Sequence, residues 1–504
     1  MFPLCSDADS NKSHYIGTVG CLILLLLIAA ITRIPFMING FGEPDSARIL
    51  ITAIDSSKYN VLNEYQIDVV PGYAAMLAYL LKTNGSNYSA VLNAMNLINV
   101  IIGIAIVIPG FYYLKSITKD IVISFYAILM FLFAPAIWQA SLYGFPTLIS
   151  LFFLITSLWF FTLFYDVESN LKYVYIVLSL FCIVFLFIIK ADILLNLGAF
   201  IGTALIKKYD RKNILFVLVY IAIAFISCLL VRKIFFGVSG SAQTGSIAGI
   251  WSFITLFKRL SGQSWYITHI KPILYATGFM TCVLFVFGIV TNYIHNRRYL
   301  LLCICWVVPP TIFWSLLSEN STRHNMASVL PEVLLVVIFI SYIFNKTVRY
   351  KMALILVVVS MLITSNILLS KPSSDFVSPS ANIFKSSKLY SEQSNRFAEN
   401  VKDIFNGQQR KICFMGGWEN PFVIFEILNN SQSYKVERLK ESDHYRIEMT
   451  AKDGKDYTWV VIYPRGATKE EAVRSALEKY KDYDFSDYLI VTSLSGLGIE
   501  TEKL

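Results

Sequence analysis

Residues 15–37 read YIGTVGCLILLLLIAAITRIPFM, an apolar run in which Arg33 is the only charged residue. A run of this length can cross the hydrocarbon core of a bilayer as an α-helix. It is long for a signal peptide and lacks a small-residue cleavage site, so we predict an uncleaved first span. Ten further runs follow, at 90–113, 121–137, 147–165, 173–189, 191–206, 213–231, 272–294, 299–317, 328–345 and 352–370. The sequence therefore predicts a polytopic α-helical membrane protein with about eleven transmembrane helices.

The composition supports this fold class. Of the 504 residues, 56% are hydrophobic and 15% are charged, and the mean hydropathy is +0.58. In a soluble protein about a quarter of all residues are charged. The lower charged fraction of this chain excludes a disordered, collagen-like or ordinary cytosolic protein. The net charge of +9 is unevenly distributed: residues 1–370 hold 24 basic and 14 acidic residues, whereas the chain from Lys371 onward holds 19 basic and 20 acidic residues.

The basic residues of the first part predict its orientation. Cytoplasmic loops of membrane proteins are enriched in Lys and Arg. Alternate short loops carry 12 basic residues, and the intervening short loops carry only Lys190 and Arg323. We therefore predict a multi-pass plasma (inner) membrane protein with a cytoplasmic N-terminus. The long loops 38–89 and 232–271 and the chain beyond residue 370 then lie outside. The 12 residues are Lys115, Lys119, Lys172, Lys207, Lys208, Arg211, Lys212, Arg297, Arg298, Lys346, Arg349 and Lys351.

The chain divides into three predicted parts. Residues 1–370 form the transmembrane domain, and residues 371–410, rich in Ser, Pro and Lys in their first half, form a linker or surface segment. Residues 411–504 form a small extracytoplasmic α/β domain with a partly parallel sheet, because short apolar runs alternate with helix-like stretches there. The predicted strands are KICFM at 411–415, TWVVIY at 458–463 and YLIVT at 488–492, and the predicted helices lie at 421–428 and 469–480.

The first outer loop holds the sharpest candidate site, at residues 39–50, NGFGEPDSARIL. Glu43 and Asp45 follow the first span at the membrane surface, and Arg48 comes next. A carboxylate kept near the bilayer boundary is costly and therefore a functional candidate. Asp45 could accept a proton from a hydroxyl during group transfer. The alternative, equally open from the loop alone, is that Asp45 caps a helix that starts at Ser46.

Two further elements place basic residues on the outer side. Lys190 and Asp192 lie in KAD, between two apolar spans, and Lys190 could bind a lipid phosphate or extend to the headgroups. Asp192 could cap the next helix or pair with Lys190. Arg323 and His324 lie in STRHN, and a guanidinium matches phosphate geometry through its paired N–H groups. An interfacial Arg–His pair without a ligand is the alternative.

The remaining sequence features say less about the function. The loop 237–271 mixes aromatic and basic residues and suits a membrane-lying segment. Of the eight cysteines none has metal-ligand spacing with a histidine nearby, so we predict structural thiols and no metal site. The charge pattern predicts no nucleic-acid partner.

Taken together, the order of these motifs resembles the GT-C superfamily of membrane glycosyltransferases. The branch of protein mannosyltransferases and lipid A aminoarabinose transferases (glycosyltransferase family 39-like) is the most similar. FGEPDSARIL resembles the family's acidic loop, with Asp45 in the place of the catalytic Asp. The other similar elements are DVVPGY at 68–73, PAIWQAS at 135–141, Lys190–Asp192, and Arg323–Leu330 before Pro331. The chain departs from many relatives at Tyr143, Gly144 and Phe145, where these carry an Asp near the fourth span.

The resemblance implies a GT-C-like fold and a polyprenyl-phosphate sugar as donor substrate, without a cofactor. It implies that Asp45 is the general base and that Arg323, His324 and Lys190 meet the donor phosphate. Glu43, Arg48 and Asp192 are then supporting or substrate-binding residues. The predicted function is transfer of a sugar, with inversion, to a surface glycan, lipid or protein acceptor on the outer face.

Two other classes stay open. One is a surface-polysaccharide polymerase or flippase of the same lipid-linked pathway, and a flippase would carry charged residues inside many spans. The other is a non-catalytic membrane protein whose tail is a binding module, in which Asp45 and Arg323 would be dispensable. Sugar and acceptor are not decided by the sequence.

Overall fold

The computed structural model of the chain describes most of the membrane part and the core of the C-terminal domain. The described residues are 6–42, 44–59, 71–84, 87–236, 276–317, 322–344, 355–362, 399, 410–415, 420–430, 434–441, 444–451, 454–462, 474, 478, 486–493 and 499–502.

Fourteen α-helices with named bounds make up the described membrane part. They are α1 (Ser6–Arg33), α2 (Pro44–Tyr59), α3 (Pro71–Thr83), α4 (Tyr88–Ala105), α5 (Val107–Thr118), α6 (Ile121–Leu132), α7 (Pro135–Ala140), α8 (Pro146–Asp166), α9 (Leu171–Ile189), α10 (Gly198–Lys207), α11 (Arg211–Phe236), α12 (Phe279–His295), α13 (Arg297–Leu317) and α14 (Val329–Ile343). Short 3-10 helices cover Ile34–Phe36, Ala191–Leu197 and Thr322–Ser328, and residues 355–362 are also helical.

Six helical segments of the described chain are long and apolar enough to cross a membrane: Gly17–Phe36, Tyr88–Thr118, Pro146–Asp166, Leu171–Ile189, Arg211–Val231 and Asn325–Ile343. Apolar side chains on their outer faces are exposed, as lipid-facing residues are, for example Phe181 at 62% and Ile226 at 56%. The polytopic helical fold with a small C-terminal sheet is therefore confirmed. The count of eleven spans stays a prediction, because the predicted span 352–370 is described only over 355–362.

The segment that was predicted as the first outer loop contains regular secondary structure. Residues 38–89 contain the helices α2 and α3, which pack against each other. Both helices begin with a proline, Pro44 and Pro71, and proline suits the first helical position because its missing N–H would have no partner there. Most of the second predicted loop, 232–271, lies outside the described residues, and α11 extends into it as far as Phe236.

The basic loops that the structure describes meet at one end of the bundle, and the loop with Lys346, Arg349 and Lys351 lies outside the described residues. The ammonium of Lys207, at the end of α10, donates to the backbone carbonyl of Ser116 in α5 at 2.9 Å. It also donates to the carboxylate of Asp166, the last residue of α8, at 2.7 Å. We call this end the basic end. The opposite end carries α2, Lys190 and the 3-10 helix Thr322–Ser328, and we call it the loop end.

The C-terminal domain contains a six-stranded mixed sheet. Its strands are β1 (Lys411–Met415), β2 (Tyr434–Glu441), β3 (His444–Ala451), β4 (Asp456–Ile462), β5 (Leu489–Ser493) and β6 (Ile499–Glu502), in the order β2-β3-β4-β1-β5-β6. Strand β1 is parallel to β4 and to β5, and the other pairs are antiparallel.

The three predicted strands are the parallel centre of this sheet. The others, β2, β3 and β6, were not predicted, because their sequences are polar, as those of solvated antiparallel strands often are. The predicted helix 421–428 is present as α15 (Asn420–Asn430). The predicted helix 469–480 lies outside the described residues except for positions 474 and 478, and the linker 371–410 except for 399 and 410. The limits of the three domains stay a prediction.

Helix α15 joins the sheet domain to the membrane part. It packs against α2, and the rings of Phe41 and Phe425 meet edge to face with their centroids 4.7 Å apart. Val423, Phe425 and Ile427 of α15 belong to one buried apolar cluster with Leu50 of α2. Helix α2 and the C-terminal domain therefore share a hydrophobic core.

We expect Phe425→Ala to loosen helix α2, because removing a buried phenylalanine from a shared core costs about 3–5 kcal/mol. Hydrogen exchange of the purified chain, measured by mass spectrometry, should become faster over 44–59. The matched control is Phe181→Ala, because Phe181 is 62% exposed on the lipid side of α9. Unchanged exchange over 44–59 in Phe425→Ala would show that α2 does not depend on α15.

Candidate functional site

The connection between α7 and α8, residues 141–145, lies at the centre of the loop end. Gly42, just before α2, lies on the ring of Tyr143, and a Cβ at Gly42 would come 2.1 Å from Tyr143 Cγ. Any other residue at position 42 would therefore push the loop off this ring. The Tyr143 ring is in turn 6.5 Å from the ring of Phe145, measured between centroids.

Two buried asparagines of α4 hold this connection and the first loop together. The Asn96 carboxamide donates to the backbone carbonyls of Ile38 at 2.7 Å and Gly40 at 2.9 Å. Its oxygen accepts from the backbone N–H of Gly144 at 2.6 Å. Asn99, one turn further, donates to the carbonyls of Ala140 and Phe145, both at 2.9 Å. Buried backbone groups outside regular structure need such partners.

Lys190 lies beside the same connection. It is 3% exposed, and its ammonium donates to the Thr147 hydroxyl in the first turn of α8 at 2.7 Å. The ammonium also lies 5.2 Å from the centroid of the Phe145 ring. The extended backbone of Lys190 ends α9, and the next residues form the 3-10 helix Ala191–Leu197. Lys190 is therefore a buried cation at the loop end and does not extend to the headgroups.

The STRHN element approaches the same place from another side. Its 3-10 helix Thr322–Ser328 contacts both α7 and α8. The 3-10 helix Ala191–Leu197, which contains Asp192, also contacts α8. The three predicted elements thus converge on α7, the start of α8 and the connection between them.

The individual predicted residues are described to different degrees. Asp45 is the second residue of α2, so it lies within the first turn of the helix and is not the cap before a helix that starts at Ser46. Asp192, Arg323 and His324 lie in the two 3-10 helices. The structure describes only the backbone of these four residues, and Glu43 lies outside the described residues. The list of site residues therefore stays a prediction.

The described side chains of α2 and α3 add polar groups to the site. Arg48 is half-buried on α2. The hydroxyls of Ser46 and Tyr73 are buried and have no hydrogen-bond partner among the described residues. Burial raises the pKa of Tyr73, so its hydroxyl stays protonated and can donate a hydrogen bond.

The sequence reasoning missed Asn96, Asn99 and Arg33. Arg33 is fully buried at the end of α1 and donates to the carbonyl of Leu132, the last residue of α6, at 2.9 Å. Its Nε has no partner among the described residues. A polar residue inside an apolar run was the available signal, because such residues are costly in a membrane. Glu332 is another polar residue inside an apolar run. Its buried side-chain carboxyl group accepts a hydrogen bond from the Thr277 hydroxyl, and this bond joins α14 to the segment before α12.

Within the described part of the chain, no group of three or more His, Cys, Asp and Glu side chains could hold a metal ion. The prediction that no metal takes part stays a prediction, because the Glu43 and Asp45 carboxylates are not described.

The loop end is thus a polar, partly buried site at one end of a polytopic helical bundle. No protein-family model and no curated protein matches the chain. Among solved structures it is similar to an oligosaccharyltransferase from Archaeoglobus fulgidus in complex with Zn and sulfate. The identity there is 12% and the TM-score 0.47, over 80% of this chain and 61% of that chain.

The chain is also similar to ArnT from Cupriavidus metallidurans. For the apo structure the identity is 10% and the TM-score 0.48, over 83% of this chain and 85% of ArnT. For the structure bound to undecaprenyl phosphate the values are 10% and 0.42, over 84% and 88%. Both proteins are GT-C membrane glycosyltransferases, the superfamily that the sequence resembles. Identities this low say nothing about the activity or substrate of this chain.

We expect Asn96→Leu to destabilise the loop end, because three buried backbone groups lose their partner at about 1–3 kcal/mol each. Thermal unfolding in detergent should shift to lower temperature, and exchange over 37–42 and 141–145 should rise.

The matched control is Asn292→Leu, since Asn292 is equally buried but, among the described residues, donates only within its own helix, to the Gly288 carbonyl at 2.9 Å. Equal effects of the two substitutions would contradict a special role of Asn96.

Proposed function

We propose that the protein is a glycosyltransferase that transfers a sugar from a polyprenyl-phosphate donor to an acceptor at the loop end. The observation that carries the proposal is the buried ammonium of Lys190 beside the α7–α8 connection, where the Asp45 and Arg323 segments converge. An ionisable residue buried in a membrane protein is costly and is therefore a functional candidate. A lipid phosphate is the anion that a membrane enzyme can bring to this depth.

The orientation follows from the charge pattern. The short basic loops that the structure describes meet at the basic end, and the positive-inside rule assigns such an end to the cytoplasm. The loop end, the C-terminal domain and the proposed site then face the outside of the plasma membrane.

The donor phosphate would be bound by cations. Lys190, Arg323 and His324 would neutralise its charge, with Arg323 contributing paired N–H donors. During transfer the bond between the anomeric carbon and the phosphate oxygen breaks, and negative charge grows on the leaving phosphate. Cations already in place stabilise that charge without reorganising.

Asp45 would be the general base. The oxygen of an acceptor hydroxyl attacks the anomeric carbon from the side opposite the phosphate, its proton passes to the Asp45 carboxylate, and the configuration inverts. Asp45 lies in the first turn of α2, where the helix dipole favours an ionised carboxylate.

Other polar groups near α2 would orient the acceptor. Glu43 and Arg48 flank Asp45 in the sequence, and Asp192 follows Lys190. The unpartnered hydroxyls of Ser46 and Tyr73 are on α2 and α3 and are suited to bind sugar hydroxyl groups. The acceptor would be a surface glycan, a membrane lipid or a protein.

The test of the function is a comparison of surface glycans and lipids, by mass analysis, in cells with and without the protein. A sugar residue that disappears from one acceptor identifies both substrates. A change in chain length of a polysaccharide would indicate a polymerase, and accumulation of a complete lipid-linked glycan would indicate a flippase.

We predict that Asp45→Asn abolishes transfer, by a factor of about 10² or more, while expression and membrane insertion stay normal. Transfer is measured as incorporation of the sugar into the acceptor. The control is Asp487→Asn, since Asp487 is 73% exposed in a surface ion pair of the C-terminal domain. Near-normal transfer by Asp45→Asn would contradict the assignment of the base.

We further predict that Lys190→Met weakens donor binding and raises the KM for the donor, because a cation is removed from the phosphate. Thr147→Val is the matched control: it removes the hydroxyl that Lys190 binds and leaves the charge in place. If both variants impair transfer equally, Lys190 acts by holding α9 to α8 and not by binding phosphate.

A further inference from the structure

A cavity of about 680 Å³ lies at the basic end, opposite the proposed site. It is an open pocket bordered by the ends of α5, α8 and α10 and by the connection between α12 and α13. This volume is within the range of about 300–1,000 Å³ that is typical of sites for small ligands. Its polar lining includes Lys119, Asp166, Lys207, Lys208, Asn296 and Arg298.

The wall of the cavity is built around Lys207. Its side chain is 7% exposed, and its ammonium binds the backbone carbonyl of Ser116 and the carboxylate of Asp166. The ends of three helices are thereby joined by one cation. Lys207 therefore has a structural role in the wall of the pocket. A ligand would be bound by the other basic residues of the lining, Lys119, Lys208 and Arg298.

The lining has more positive charge than its acids can neutralise. The single carboxylate of Asp166 serves both Lys207 at 2.7 Å and Lys119 at 3.3 Å. Lys208 pairs with Asp210 at 3.6 Å. Arg298 has no acidic partner among the described residues. The cavity thus carries an excess of positive charge, held mainly by Lys119 and Arg298.

Asp210 is a carboxylate at neutral pH. The backbone N–H of Asn213 donates to it at 2.8 Å and holds the pKa of the Asp210 carboxyl below its usual value, with Lys208 adding to this effect. It therefore balances Lys208, so the excess charge of the lining is held by Arg298 and by Lys119, which shares the Asp166 carboxylate with Lys207.

Membrane topology alone does not require this arrangement. The positive-inside rule needs basic residues in the short loops, but it does not need four of them around one pocket. Arg211 and Lys212 show the alternative, because they are exposed at the same end and do not line the cavity.

The surroundings of the cavity are those of a lipid headgroup. The helices α11, α12 and α14 present exposed apolar side chains near their ends: Leu215 is 62% exposed, Ile294 is 64% exposed and Ile343 is 53% exposed. Acyl chains pack on such faces, and the phosphate of the same lipid then lies at the level of the helix ends. Basic pockets between transmembrane helices on the cytoplasmic side bind anionic headgroups.

We propose that this cavity binds the phosphate-bearing headgroup of an anionic membrane phospholipid. Arg298 contacts the phosphate oxygens through paired N–H groups, and Lys119 adds a second cation. The Asn296 carboxamide is placed to bind the polar part of the headgroup. The site is separate from the proposed glycosyltransferase site and does not rest on that function.

The test is native mass spectrometry of the full chain in detergent, titrated with phosphatidylglycerol and, separately, with phosphatidylcholine. We expect saturable binding of phosphatidylglycerol and not of phosphatidylcholine. The double variant Lys119→Gln/Arg298→Gln should bind phosphatidylglycerol more weakly by a factor of about ten or more. Each cation near the membrane surface contributes a separate attraction.

The matched control is Arg211→Gln/Lys212→Gln, which removes the same charge from the same end outside the cavity. Its affinity for phosphatidylglycerol should be unchanged, and thermal unfolding of both double variants checks that they fold. Equal weakening by the two variants, or equal binding of the two lipids, would overturn the proposal. A parallel titration with glycerol 3-phosphate separates the sources: binding of this soluble phosphate without binding of phosphatidylglycerol would also overturn the assignment to a lipid.

Discussion

The loop end depends on how its irregular backbone finds hydrogen bonds away from water. In the apolar interior of a membrane protein, non-helical backbone is tolerated only where protein groups or a wet cavity satisfy it. One carboxamide, that of Asn96, satisfies three such groups from two separate loops, and Asn99 satisfies two more. The loop before α2 and the connection before α8 are therefore fixed relative to each other by helix α4. Everything proposed for Asp45 and Lys190 requires that fixed relation.

The C-terminal domain extends the same arrangement outward. Helix α2 is only partly covered by α3, and α15 buries part of the remaining surface through the cluster that contains Phe41 and Phe425. A helix that starts in a loop and has one exposed apolar face would otherwise be among the least stable parts of the protein. The soluble domain is thus structurally part of the site, because it holds the helix on which the proposed base lies.

The sequence predicted what depends on local patterns. Apolar runs predicted the polytopic helical fold, the basic loops identified one end of the bundle, and β-branched runs identified the three central strands of the sheet. The rest depends on contacts between distant residues. The packing of α15 on α2 joins positions about 370 residues apart, which no local pattern encodes. The role of Asn96 was hidden because an asparagine within an apolar run does not show which backbone it will meet. Proline favours the first position of a helix, so the start of α2 at Pro44 could have been predicted from the sequence. Because α2 starts there, Asp45 lies inside the helix and is not its N-terminal cap.

Arg33 shows how the bundle accommodates a charge that has no carboxylate partner among the described residues. The fully buried guanidinium donates to the carbonyl of Leu132, at the end of α6, where the unsatisfied carbonyls of a helix carry partial negative charge. Gly103 lies against both Ser141 and Arg33, since a Cβ there would come 2.4 Å from Ser141 Cβ and 3.2 Å from Arg33 Nε. Partial charges of a helix end offset a full cation only in part, so we expect Arg33 to contribute positive potential to the region around it. An anionic donor would enter such a region more readily than a neutral one, which makes the buried arginine a remote contributor to the proposed phosphate site, acting through the field and not through contact.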